Sequence, residues 1–264
     1  MSQIYELILG SNPVLISMPH DGFQIPESIA SHMTEEGRSS RDTDWYVSRL
    51  YQFAQYLGCY MIRPFYSRYV IDLNRPVDDA PLYPGMDTTG LVPLDSFRKK
   101  PLYLPNQEPD AAERQARINA YWQPYHQALS DTLAEIRSKF GVAVLFEAHS
   151  IASEVPRFFE GRLPDLNFGN NDGQSCERSL LTAIASVPTS EFSTVFNGRF
   201  KGGYITRHYG KPEQNIHAVQ LELSWRTYLD ESEIQWNGHK AKRVQPILEA
   251  VIGKVIEWAN NKAR

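Results

Sequence analysis

Apolar and polar positions along the chain repeat with two different periods, and the main elements follow from where one gives way to the other. Residues 14–18 form a short continuous apolar run halted by Pro19, the pattern of a buried strand. Asp42-Thr43 is placed to cap a helix whose apolar face is Tyr46, Val47, Leu50, Phe53, Ala54 and Leu57, with Gly58 ending it. Residues 69–73 read as a second strand, closed by Asn74, Arg75 and Pro76. From 76 to 109 the periodicity collapses and seven prolines intervene, which predicts an irregular segment of the kind that covers active sites. Beyond Pro109, the positions Ile118, Tyr121, Trp122, Tyr125, Leu129, Leu133, Ile136 and Phe140 advance in steps of three and four. They predict a long amphipathic helix that Pro124 should kink.

A buried strand over 142–146 then runs into Glu147, Ala148, His149 and Ser150, and 218–223 alternates as a strand. Val244, Ile247, Leu248, Val251, Ile252, Val255 and Ala259 mark one face of a C-terminal helix. Strands alternating with helices predict one α/β domain over 1–264, built around a single sheet whose strand directions the spacing leaves open.

Composition narrows the partners. The 264 residues carry 27 Lys plus Arg against 31 Asp plus Glu, a formal net charge of −4, which gives no electrostatic footprint for nucleic acid. Mean hydropathy is −0.43, and no apolar run approaches the length of a membrane span. Cys59 and Cys176 are too few for a disulfide framework, and the first residues lack the cationic start of a secretory signal. A soluble, cytoplasmic, globular protein is expected.

Chemistry-bearing residues collect just beyond the apolar runs, where ligands bind in open α/β sheets. His20 follows the first run and His149 the third; each reads either as a metal-ligating imidazole or as an ordinary hydrogen-bonded residue at a strand end. Two histidines and a carboxylate hold Zn²⁺ with a position left open for water. Asp42 and Asp44 are the candidate third ligands, although carboxylates at a helix start are expected for capping alone. Glu147, two residues before His149, is expected on the opposite face, so it is cast as a partner behind the ligands. Asn74 and Arg75 suit carboxylate recognition, a guanidinium fork beside an amide. Glu222, between two leucines, suits a desolvated acid–base group. The basic, glycine-rich segment 197–208 reads either as a surface hairpin turn or as a further clamp for a dicarboxylate, through Arg199, Lys201 and Arg207. No Gly-x-Ser-x-Gly elbow is present for a serine hydrolase.

Eight stretches occur in an order that resembles the N-formylglutamate amidohydrolases: SMPHDG (17–22), DTDW (42–45), SRYVIDLNRP (67–76), AHSI (148–151), GRLPD (161–165), NGRFKGG (197–203), ITRHYG (205–210) and HAVQLEL (217–223). They span most of the chain. The resemblance implies a three-layer α/β/α sandwich with a mixed sheet, like the zinc-dependent exopeptidases, carboxypeptidases and aspartoacylases. It also implies Zn²⁺-dependent hydrolysis of N-formyl-L-glutamate to L-glutamate and formate. In those relatives an Asn-Arg pair, matching Asn74 and Arg75, meets the substrate carboxylate, and a late Glu, matching Glu222, is catalytic. Their histidine ligands match His20 and His149. Their ligand Glu, three residues after the first His, is Phe23 here, which leaves Asp44, ahead of Asp42, as the expected third ligand. The family is also expected to carry Asp where Glu147 stands. Other N-acyl amino acid deacylases, carboxypeptidase-like amidases and a non-catalytic binding protein on this fold are the competing readings.

Overall fold

The computed structural model describes residues 3–81, 85–189 and 191–263. Seven strands form one mixed sheet: β1 (Tyr5–Ile8), β2 (Val14–Ser17), β3 (Tyr60–Pro64), β4 (Ala143–Ile151), β5 (Leu166–Gly169), β6 (Thr194–Phe196) and β7 (Ile216–Ser224). Their order is β1-β3-β2-β4-β7-β5-β6. The central run β3-β2-β4-β7 is parallel, β1 and β5 join it antiparallel, and β6 lies parallel to β5. The helices are α1 (Glu27–Ala30), α2 (Glu35–Arg38), α3 (Val47–Leu50), α4 (Phe53–Tyr56), α5 (Ala111–Arg117), α6 (Gln123–Phe140), α7 (Arg178–Ala185), α8 (Tyr204–Tyr209) and α9 (Gly238–Lys262). None among the described residues is long and apolar enough to cross a membrane.

The strands' period of two sorts side chains onto two cores. Val14 and Ile16 of β2, with Val144, Phe146 and Ala148 of β4, join α3, α4, α7 and α9 in one core. Leu15, Ala143, Leu145 and Ala218 face the other, against Tyr125, Leu129, Leu133 and Ile136 of α6. Towards the carboxyl ends of β4 and β7 this second face turns polar. By the same alternation Glu147, His149, Gln220 and Glu222 project from it, with His149 opposite Glu222 and Glu147 opposite Gln220 in the register.

Three sequence-based expectations are corrected here. Residues 69–73 are a run of buried turns rather than a strand: Val70 N bonds back to Ser67 O and Arg75 N to Asp72 O. Tyr69, Val70, Ile71 and Leu73 are apolar because they fill the second core. The helix expected after Asp42-Thr43 is two single turns, α3 and α4, and neither Asp42 nor Thr43 caps it. Asp44 N donates to His20 O at 2.9 Å, which draws that segment to the carboxyl end of β2, and helical geometry resumes only after Tyr46 in a left-handed conformation. Glu147 shares a face with His149, because residues two apart in a strand point the same way.

The long helix begins with Asp110, whose carboxylate accepts from Glu113 N at 2.8 Å, and ends at Gly141 with φ +79°. Pro124 is accommodated by a π-helical turn, Ile118–Trp122, immediately before α6. The irregular segment 76–109 is partly built into the protein. Leu91 and Leu102 are buried, and Arg157 fastens Asp87 and Asp95 at 2.8 and 2.7 Å.

Candidate active site

β2 and β4 are neighbours, and the chain leaves β2 towards β3 on the other side, so a crevice opens at their carboxyl ends. His20 enters it from the turn after β2, Asp44 from the turn before α3, and His149 and Glu222 from the polar ends of β4 and β7. All four line one cavity of about 80 Å³, together with Arg68, Asn74, Arg75, Phe97, Phe158, Arg199 and Gln220.

His20, Asp44 and His149 are buried, and their ligand-type atoms lie within 4.8 Å of one another. His149 Nδ1 stands 3.1 Å and His20 Nδ1 3.8 Å from Asp44 Oδ2. Two ligand atoms about 2.0 Å from a shared tetrahedral ion are roughly 3.3 Å apart, so the group fits a divalent metal. Asp42 is elsewhere: its Oδ2 accepts from Phe97 N at 2.7 Å, fastening the irregular segment.

Each histidine's other nitrogen meets an acid. His20 Nε2 is 2.6 Å from Asp72 Oδ1, and His149 Nε2 is 3.3 Å from Glu147 Oε2. Asn74 Nδ2 also lies 3.1 Å from His149 Nε2, while Asn74 Oδ1 accepts from Ile205 N at 2.8 Å. Gly203 is required beside it, since a Cβ there would run into the Asn74 amide.

Burial sets the titration of these groups and the neighbours then modify it. It pushes the Glu222 carboxyl up to about 8; Asp44 adds to the rise, and His149, Arg68 and Arg199 oppose it. Burial would lower His149, but its hydrogen bonds to Asp44 and Glu147 hold it up at about 10. His20 is lowered by burial and by Arg68, against the pull of Asp72. Burial opposes ionisation of Asp72, yet Arg68 and His20 hold it well below the usual carboxylate range.

Of the four residues expected to grip substrate, Asn74, Arg75 and Arg199 line the cavity and Arg207 does not. Arg75 Nε donates to Thr89 O at 2.9 Å and Arg199 Nε to Phe158 O at 2.6 Å, so both guanidinium groups are partly oriented by backbone. Arg207 Nε donates to Gly202 O at 2.8 Å, within the glycine-rich turn.

Sequence reasoning passed over Arg68, Asp72, Phe97, Phe158 and Gln220. Arg68 and Asp72 form a buried ion pair at 2.6 Å, and two opposite charges four residues apart in an apolar run were the available signal. Phe97 packs edge-on against Phe158 at 4.8 Å and beneath the Arg68 guanidinium at 4.9 Å. It also lines a second cavity of about 630 Å³ beside Arg41 and Arg157, and so forms part of the wall between the two.

Fold and cavity together define the class: an α/β protein with a polar cavity at the carboxyl ends of its strands. The chain belongs to the N-formylglutamate amidohydrolase family, whose model matches residues 12–229. It is 43% identical over 265 residues to the N-formylglutamate deformylase of Pseudomonas aeruginosa, covering 99% of each chain. It is likewise 43% identical to the enzyme of that name from Pseudomonas putida, covering 98% of this chain and 97% of the other. Among solved structures, the N-formylglutamate amidohydrolase of Ralstonia eutropha JMP134 superposes with a TM-score of 0.84 at 24% identity, covering 98% and 99% of the two chains. A gene product of Agrobacterium tumefaciens superposes at 0.72 with 20% identity, covering 97% and 96%. Both share the fold.

Proposed function

We propose that this chain hydrolyses N-formyl-L-glutamate to L-glutamate and formate, as the names of its relatives and the chemistry of its cavity both suggest. The observation that carries the mechanism is Glu222, a buried carboxyl beside the His20–Asp44–His149 group in the same cavity. His20, Asp44 and His149 would hold a divalent ion, in our reading Zn²⁺. Held there, such an ion would supply Lewis acidity for the formyl carbonyl and for a water molecule.

Glu222 takes a proton from the attacking water and returns it to the glutamate nitrogen as the C–N bond breaks. A carboxyl held near neutral pH can exchange that proton in both directions. Asn74, Arg75 and Arg199 anchor the two carboxylates of the substrate. Arg207 contributes from further out, by holding the turn that carries Gly202 and Gly203. Phe97 and Phe158 keep water from the far side of the cavity, and segment 76–109 serves as its cover.

The two cores, one on each face of the sheet, fit a three-layer α/β/α sandwich of the zinc-exopeptidase type in one catalytic domain. A cytoplasmic enzyme with a small dicarboxylate substrate and no nucleic-acid partner is the corresponding expectation. Incubation with N-formyl-L-glutamate tests the reading: formate and glutamate should appear in equal amounts, stop on chelation and resume with added zinc. Tight binding without turnover would instead identify a binding protein on this fold.

A further inference from the structure

Asp72 is fully buried, and its carboxylate makes three hydrogen bonds that lead to three different parts of the cavity. Its Oδ1 lies 2.6 Å from His20 Nε2 and accepts from Asn74 N at 2.9 Å. Its Oδ2 accepts from Arg68 Nη2 at 2.6 Å. Arg68 in turn places Nη1 3.8 Å from Asp44 Oδ1. One carboxylate thus touches a metal-type histidine and the backbone of the substrate-side asparagine through the same oxygen, and reaches the acid of the cluster, Asp44, through an arginine.

A carboxylate can only accept here, so the proton of His20 belongs on Nε2 and the lone pair of Nδ1 faces Asp44. A partner of this kind fixes the tautomer and ring orientation of a ligating histidine. The bond to Asn74 N meanwhile holds the turn that presents the Asn74 amide beside His149. Arg68 supplies the countercharge without which a buried Asp72 would be costly.

We propose that Asp72 is a positioning residue that couples the metal site to the substrate anchor, setting His20 Nδ1 for the ion and Asn74 for the substrate. This rests on the metal-dependent reading above.

The test measures Zn²⁺ affinity of the full-length protein by competition with a chromogenic chelator, alongside far-UV circular dichroism. The proteins compared are the wild type, Asp72→Leu, which is similar in size and can accept neither bond, and the double variant Asp72→Leu with Arg68→Met. The double variant removes both charges, so a stranded buried cation cannot unfold it. Each folded variant should bind zinc about 10- to 100-fold more weakly than the wild type, the usual effect of losing such a partner. In saturating zinc, kcat for N-formyl-L-glutamate should recover more fully than KM, which stays raised because Asn74 has lost its backbone tie. A folded variant with wild-type zinc affinity overturns the inference and leaves the metal reading standing. Loss of the fold in both variants assigns Asp72 a purely structural role and also overturns it. A wild-type chain that takes up no zinc overturns the metal reading and this inference with it.

Discussion

Glu222 stands directly opposite His149 in the register of two adjacent parallel strands, so carboxyl and imidazole emerge side by side on one face of the sheet. Neither residue depends on a loop for its position. Glu222→Gln keeps the shape and removes the proton exchange. It should retain the metal and lose at least about a hundredfold in kcat, the scale of a positioned acid–base group. Steady-state kinetics with metal analysis of the same sample checks this, and undiminished turnover would remove Glu222 from the mechanism.

Asp44 and Asp42 are two residues apart and have different work. Asp44→Ala should lose bound zinc, whereas Asp42→Ala should keep it and instead free Phe97 N. Metal content after dialysis separates them. The reverse pattern would mean that the His20–Asp44–His149 group is not the binding site.

Carboxylate anchoring assigns Arg199 and Arg207 unequal effects. A hydrogen bond to a charged group contributes about 1.5–3 kcal/mol, so Arg199→Ala should raise KM by about 10- to 100-fold. Arg207→Ala, outside the cavity lining, should change KM much less. Equal effects from both would require substrate to reach beyond the cavity.

His126 carries a pH signature away from the metal-type cluster. Burial pushes it down to about 3, and its Nε2–H donates to Leu73 O at 2.9 Å. The unfolded chain takes up a second imidazole proton near the ordinary value of 6.5 while the folded chain resists, so the contribution of His126 to stability falls as pH drops from 6.5 towards 3. The stability advantage of the wild type over His126→Gln, from urea unfolding, should therefore shrink between pH 7 and pH 4.5. A constant difference would show that His126 titrates alike in both states.

The residues that sequence could supply are those whose position follows from an apolar run or a clear alternation. β2, β4 and β7 each announce themselves by composition, and His20, His149 and Glu222 follow from where those runs turn polar. Asp44 and Asn74 were legible through their neighbouring motifs. What was lost has physical causes. β5 and β6 have four and three residues, too few for a period to show, and β5 contains the polar Asn167. Residues 69–73 carry the apolar content of a strand because a buried turn needs the same side chains. Arg68 and Asp72 satisfy each other across that turn, a pairing that only its three-dimensional path reveals. Glu147 was assigned to the wrong face by a slip in the strand period, which the register corrects.

Substrate choice tests the proposed activity most directly. Formate or acetate release should be followed with N-formyl-L-glutamate, N-acetyl-L-glutamate and N-formyl-L-aspartate as competing substrates, using zinc-loaded protein. An N-formylglutamate deformylase gives the highest kcat/KM with the first. A higher value for the acetyl or aspartyl compound, or no release from any of them, would contradict the proposed function.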